Sequence, residues 1–339
     1  MTEPISNRFF EQGRAFLQCR YPILCGAMTW ISDARLVAAM SEAGGFASLA
    51  GGNAPPEIFE AEIAKTRELT DRPFAVNLVS VAPAYQDQIA VLENCHPEYV
   101  IFAGSFPSDT DIRRVKATGA KVLCFASTIS IARRMVKRGA DAIILEGMEA
   151  GGHVGHVSLI VLLQQVLFQM SDVPVFVAGG VAGGRMCANL FLMGAAGVQL
   201  GTRFAVSEES CAHPDFKKAY VKAKARDAVS TPQFDRRLPV IAVRILANDK
   251  LAQFEKLQLE LVQQLNRGEV DHKEAVGQIE NFWIGGLRNA VMDGDVAHGS
   301  LMAGQSVGLV DHVQSVSSIV EELVEEIEAE FQRVKAQLV

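Results

Sequence analysis

Long hydrophobic runs are missing from this chain. The longest, such as Leu159 to Leu163, fall far short of the roughly 20 apolar residues of a membrane-spanning helix, and the N-terminus MTEPISNRFF lacks the basic-then-apolar order of a signal peptide. A cytoplasmic protein is expected. Its six cysteines form no C-x-x-C pair, which argues against a zinc or disulfide framework and for buried thiols in a reducing compartment. Positive charge is also scarce: a net charge of −7 speaks against general nucleic-acid binding, because neutralising phosphates takes a basic surface. Neither a G-x-G-x-x-G after an early strand nor a G-x-x-x-x-G-K-[ST] occurs, so a Rossmann dinucleotide site and a P-loop are unsupported.

What the chain has instead is alternation. Eight short β-rich runs, PILCG, FASLA, PFAVNL, YVIF, KVLCF, DAIIL, PVFVA and GVQL, begin at Pro22, Phe46, Pro73, Tyr99, Lys121, Asp141, Pro174 and Gly197. Segments with apolar spacing near 3.6 separate them, and SEAGGF, KRGADA and LMGAAG place a glycine where a helix ends before the next strand. Strands apolar on both faces and joined by helices imply a parallel sheet covered all round, and eight such units fit an α/β fold of the TIM (β/α)8 barrel type, with an open doubly wound sheet as the competitor. The barrel is expected over residues 1–203. Residues 204–290 read as helices and therefore as a helical cap, and residues 291–339 as a return segment followed by an amphipathic helix. In that helix Ile319, Leu323, Ile327, Phe331 and Val334 share one face, with the acidic face read as solvated.

Loops at the carboxyl ends of barrel strands build the active site, and phosphate is usually held after the seventh and eighth strands. Both places carry glycine here: Gly179 and Gly180 in AGGVAGGR, then Gly201 with the Thr202 hydroxyl in GTRF. One phosphate pocket in a barrel suggests FMN, with its ring across the barrel mouth. Gly26, Ala27 and Met28 after the first strand and Asn77 after the third would then meet the ring. After the sixth strand comes ILEGMEAGGHVGH, in which Glu146 can accept from ribityl hydroxyls while Gly151 and Gly152 let a loop pass the cofactor and aim His153 into the mouth. Histidine suits proton transfer near neutral pH. His153 and His156 have a spacing found in metal sites, but no third ligand lies nearby, so no metal is expected. One basic segment, DFKKAYVKAKARD, would place Lys218, Lys222 and Arg226 in a stripe if helical throughout, either as a solvated face or as a dock for an acidic carrier or a dinucleotide phosphate.

PILCGAMTWISD, SEAGGFASLAGGNAPPE, PFAVNL, EGMEAGGHVG, VAGGVAGGR, GVQLGTRF, EESCAHPDFKKA and GSLMAGQSVGLV occur in this order between about residues 20 and 311. Together they resemble the flavin-dependent enoyl-acyl-carrier-protein reductase II family and its relatives, the nitronate monooxygenases. The resemblance implies an FMN-bound barrel reduced by NADH or NADPH. It also implies cofactor contacts from Gln199, Met302 and Gln305, and a histidine at the position of His153 that works at the active site in both activities. EGMEAGGHVG, AHPDFKKA and DGDVAHGSLMAGQ look more like the reductase branch, which implies reduction of an enoyl thioester, with an acyl-carrier protein as a partner. RRLPVIAVR, Arg236 to Arg244, is longer and more apolar than that branch leads one to expect. Nitronate oxidation, quinone reduction and a non-catalytic flavin-binding module stay open as alternatives, and a homodimer is compatible with the sequence.

Overall fold

The computed structural model describes residues 4–238 and 240–338. Eight parallel strands close into a barrel: β1 (Ile23–Cys25), β2 (Phe46–Ala50), β3 (Ala75–Val79), β4 (Tyr99–Ala103), β5 (Lys121–Ala126), β6 (Ala142–Glu146), β8 (Val175–Ala178) and β9 (Gly197–Leu200). Each coincides with one of the runs anticipated from sequence, and β3 to β6 extend one residue beyond theirs. The ring closes where β9 pairs with β1, with Leu24 opposite Gln199. The strands are apolar on both faces because both are buried. Leu24, Phe46, Ala75, Tyr99, Leu123, Ile144 and Phe176 form an inner cluster, while Val76, Leu78, Val100, Val122, Ile143 and Val177 join the larger cluster that includes the surrounding helices.

The three repeated glycines do what their spacing suggested. Gly44, Gly139 and Gly194 all have positive φ, and Gly139 is the left-handed cap of the helix Ile129–Arg138, a conformation that costs glycine little. The N-terminal helix Ser6–Leu17 closes the floor of the barrel: Leu17 joins the inner cluster, and the Tyr99 hydroxyl and the Lys121 ammonium both donate to the Phe16 carbonyl at 2.8 Å.

After β6 the chain makes an excursion. Gly152–Val154 forms a short strand, β7, that pairs antiparallel with β11 (Ala242–Leu246), and β11 pairs in turn with β10 (Ala228–Ser230). The cap is therefore carried by two long helices, Asp249–Arg267 and His272–Arg288, and it also holds two strands that the helical reading of residues 204–290 lacked. RRLPVIAVR runs into β11 and supplies its first three residues, and its apolar excess is explained: Leu238 and Val243 pack with Ile245, Phe254, Leu261 and Trp283 in the cap core. Arg244 in the same strand is buried, donating from Nε and Nη2 to the Met148 carbonyl at 3.1 and 2.9 Å and from Nη1 to the Ala228 carbonyl at 2.6 Å. One side chain thus ties the glycine loop to the cap.

The C-terminal helix, Val316–Leu338, buries Ile319, Leu323, Ile327 and Phe331 as its periodicity predicts, with Val334 half-buried. Its acidic residues are not simply solvated, which corrects the sequence reading. Glu326 accepts from the Gly184 amide at the start of the helix Gly184–Leu192, Glu328 accepts from the Ile5 and Ser6 amides, and Glu322 pairs with Arg203. Orphan amides at helix N-termini need acceptors, and this helix supplies them to two of its neighbours. No helix among the described residues is long and apolar enough to cross a membrane.

Candidate active site

A cavity of about 690 Å³ lies between the carboxyl ends of the barrel strands and the cap, within the size range of small-molecule sites. A larger and more open depression, about 1010 Å³, borders the N-terminal helix and touches no strand end. Every strand of the barrel except the first contributes a side chain or backbone group to the smaller cavity from its own residues, and β1 contributes through the loop that follows it. Gly26, Ala27 and Met28 follow β1; Ser48, Asn77, Ile101, Phe125 and Glu146 come from β2 to β6; Ala178 and Gln199 come from β8 and β9.

Close packing explains several of these residues. A Cβ on Gly26 would come within 2.9 Å of the Gln199 amide nitrogen, so the glycine leaves room for that side chain at the cavity wall. Asn77 is buried and donates from Nδ2 to the Ile101 carbonyl at 3.1 Å, which fixes the direction of its amide. Gly179 and Gly180 both have positive φ, +90° and +74°, and a Cβ on Gly179 would lie 2.8 Å from the Gly147 carbonyl oxygen. Gly201 and Thr202 stand beside them on the wall, and the Thr202 hydroxyl already accepts from the Gly304 amide at 3.1 Å, leaving its own proton to donate. Turns that expose backbone in this way allow close approach of an anion.

The segment after Leu301 returns to the site through a glycine gap. Gly151 packs against the backbone of Ala303 and Gly304, where a Cβ would sit 2.6 Å from the Gly304 amide nitrogen. Met302, Gly304 and Ser306 reach the cavity, whereas Gln305 does not line it: its backbone N–H donates to the Glu149 carbonyl at 2.9 Å, and its role here is to anchor the loop. Ser306 was not anticipated, and neither was Ser48. The Ser48 hydroxyl is buried at the cavity wall with no partner among the described residues, an orphaned polar atom of the kind a bound polar ligand satisfies.

Glu146 differs from its sequence reading. Burial pushes its carboxyl up to about 8, and no described residue donates to it. At neutral pH it is therefore mostly a carboxylic acid, able to donate as well as accept. The linkage has a definite sign. Because the folded-state value lies above the ordinary 4.5, the folded protein holds a proton that the unfolded chain releases, so the stability tied to Glu146 is fully present below about 4.5 and is lost as pH rises towards about 8. Glu146→Gln should flatten that slope. Urea midpoints of the ligand-free protein at mildly acidic and mildly alkaline pH should differ in the wild type and converge in the variant, and an unchanged pH difference would show that the carboxyl is ionised throughout.

His153 also differs from its expected setting. It lies on β7, opposite Val243 of β11, and not on a flexible glycine loop; the flanking glycines bring this strand to the cap sheet. Its ring lines the cavity, and Nε2 lies 3.3 Å from the carboxylate of Glu280 on the cap helix His272–Arg288. Sequence reasoning missed Glu280 because the two residues are 127 positions apart and the helix that carries it reads as ordinary amphipathic cap. The cap adds an apolar rim from Val240, Ile241, Ala242 and Leu287.

The basic stripe is not continuous. The helix Pro214–Lys222 carries Lys218 and ends at Lys222, and Arg226 lies in a separate turn, Ala225–Asp227, 3.9 Å from Asp227. All three side chains are exposed. The physical cause is that β10 begins at Ala228, so the chain must extend before the helix can complete another turn.

A family model for nitronate monooxygenase matches residues 12–89 and 79–326. Among solved structures, FabK from Thermotoga maritima is 34% identical, with a TM-score of 0.84 over 99% of this chain and 100% of that one. Nitroalkane oxidase from Streptomyces ansochromogenes is 26% identical, with a TM-score of 0.76 over 94% of this chain and 99% of that one. A curated relative in Rhodococcus jostii, (3aS,4S,5R,7aS)-5-hydroxy-7a-methyl-1-oxo-octahydro-1H-indene-4-carboxyl-CoA dehydrogenase, is 35% identical over 216 residues, which span 64% of this chain and 61% of that relative. The enzyme of the same name in Mycobacterium tuberculosis is 29% identical over 90% of this chain and 92% of its own length.

Proposed function

Since this chain belongs to the nitronate monooxygenase family, we propose that it is an FMN-dependent oxidoreductase that takes electrons from NADH or NADPH and reduces the carbon–carbon double bond of an enoyl thioester. The observation that carries the reading is the pairing of two surfaces in one cavity: a glycine-lined polar wall from the barrel and an apolar rim from the cap, with His153 between them. The residues present fit FMN. Gly179, Gly180, Gly201 and Thr202 would hold its phosphate, and Ser48, Asn77, Glu146 and Gln199 offer donors and acceptors to its polar edges. When bound, the cofactor supplies the hydride chemistry.

The chain's own residues do the rest. The cap rim covers the barrel mouth with apolar side chains, which excludes water and suits an acyl chain. His153 holds the proton destined for the α-carbon of the thioester, at a position that a substrate lying under the rim would reach. The names of the coenzyme A dehydrogenases support a thioester substrate, and the likeness to FabK is in line with it. With its stripe interrupted, the basic segment lends no special support to an acyl-carrier protein, so a coenzyme A ester is the better first substrate.

The test is a half-reaction. The protein reconstituted with FMN, reduced anaerobically, is mixed separately with crotonyl-CoA, with a nitronate plus oxygen, and with a quinone. Reoxidation by the enoyl thioester within the catalytic turnover time is the expected result. Reoxidation by the nitronate or the quinone alone would replace this reading with that of the corresponding oxidase or quinone reductase.

A further inference from the structure

Glu280 spends a mostly buried carboxylate on a residue that need not be charged. Its side chain is 14% exposed, and among the described residues it makes an ion pair with His153 alone, with no lysine or arginine. Withdrawing a carboxylate from water without a permanent cation is costly, so the arrangement calls for a reason beyond stability. The neighbours of Glu280 on its helix, Ile279 and Trp283, are buried in the cap core, which holds the carboxylate in place.

From this geometry we infer that Glu280 is the positioning residue for His153, holding the imidazole by Nε2 so that Nδ1 is the nitrogen that exchanges a proton with substrate. The inference rests on the proposed role of His153. An ionised carboxylate can only accept a hydrogen bond, so the ring nitrogen facing it must carry the proton. Nδ1 has no hydrogen-bond partner among the described residues. In the imidazolium form the Nδ1–H bond breaks as the α-carbon–hydrogen bond forms; the ring keeps its Nε2 proton and becomes neutral as the negative charge on the substrate is discharged. Backbone and ring are then both set by the cap, through Val243 and Glu280, so the histidine is oriented only when the cap is docked.

Nuclear magnetic resonance of protein labelled with ¹⁵N-histidine reads the tautomer directly, at a pH where the ring is neutral, and needs no turnover. The wild type should show His153 protonated at Nε2. Glu280→Gln keeps the size but can turn its amide NH2 to the ring, and a donor facing Nε2 moves the proton to Nδ1, so the tautomer should be lost and kcat should fall. Glu280→Leu should give a mixture of tautomers and lose about 10- to 100-fold in kcat, the order found for groups that orient metal-bound histidines, with KM unchanged. A wild-type tautomer and rate in either variant would overturn the inference. Failure of the underlying reading looks different: His153→Ala would then turn over normally, whatever Glu280 does.

Discussion

His153→Ala should leave FMN bound and its reduction by the dinucleotide largely intact, while the oxidative half-reaction with enoyl thioester slows by about 10²–10⁴-fold, the typical contribution of a positioned acid or base. The separation follows from where the residue sits. His153 reaches the cavity from β7, on the cap side, whereas the glycine-lined wall is built by loops after β8 and β9. Loss of the imidazole leaves Glu280 without its partner and opens space that water can fill, so the lower end of the range applies if that water relays a proton. Stopped-flow measurement of the two half-reactions distinguishes the steps. The same variant separates substrate classes: oxidation of an already ionised nitronate needs no proton removal and should survive, while oxidation of a neutral nitroalkane should fail. If His153→Ala loses its flavin, or reduces enoyl thioester at the wild-type rate, the histidine is structural.

The second large effect is expected at Gly180. Its φ of +74° is one a β-branched residue adopts only with strain of about 1–3 kcal/mol, and a Cβ there would meet the Cβ of Glu149 at 3.2 Å. Glu149 cannot give way freely, because its two carboxylate oxygens accept from the Leu159 amide at 3.2 and 3.0 Å. Gly180→Val should therefore relax by moving its own backbone, taking the exposed amides away from a bound phosphate. FMN affinity should fall about 100-fold or more, equivalent to about 2.7 kcal/mol. Gly194→Val is the control: its φ is +103°, a Cβ there meets nothing within 4 Å, and it does not line the cavity. It should lose stability through strain while keeping its FMN affinity. Equal affinity in Gly180→Val and wild type, read by fluorescence titration of the apoprotein, would remove Gly179 and Gly180 from the phosphate site.

Much of this site was legible in the chain because a parallel barrel converts local sequence order into spatial order. Each strand that ends in a polar or glycine residue delivers it to the same rim, which is why Gly26, Asn77, Glu146, Gly179 and Gln199, spread over 174 positions, line one cavity. Gln305 shows the limit of transfer by motif: it stands in the right segment, but its neighbours Gly304 and Ser306 face the cavity instead, because adjacent residues in a turn point in different directions.

The sequence by itself determined the eight strands, their order, the glycine-ended helices and the polar residues at the strand ends, since hydrophobic period and helix-end chemistry act over a few residues and do not depend on what packs against them. Only the tertiary structure decided the setting of those residues. Burial, not identity, makes Glu146 a neutral acid. Long-range strand pairing turns the glycine loop into β7 and sends RRLPVIAVR into the cap sheet, and helix docking brings Glu280 to His153 and commits the C-terminal glutamates to their neighbours' amides. Each of these depends on a partner far away in sequence, and the free energy of desolvating a charge or completing a ladder is set by that partner.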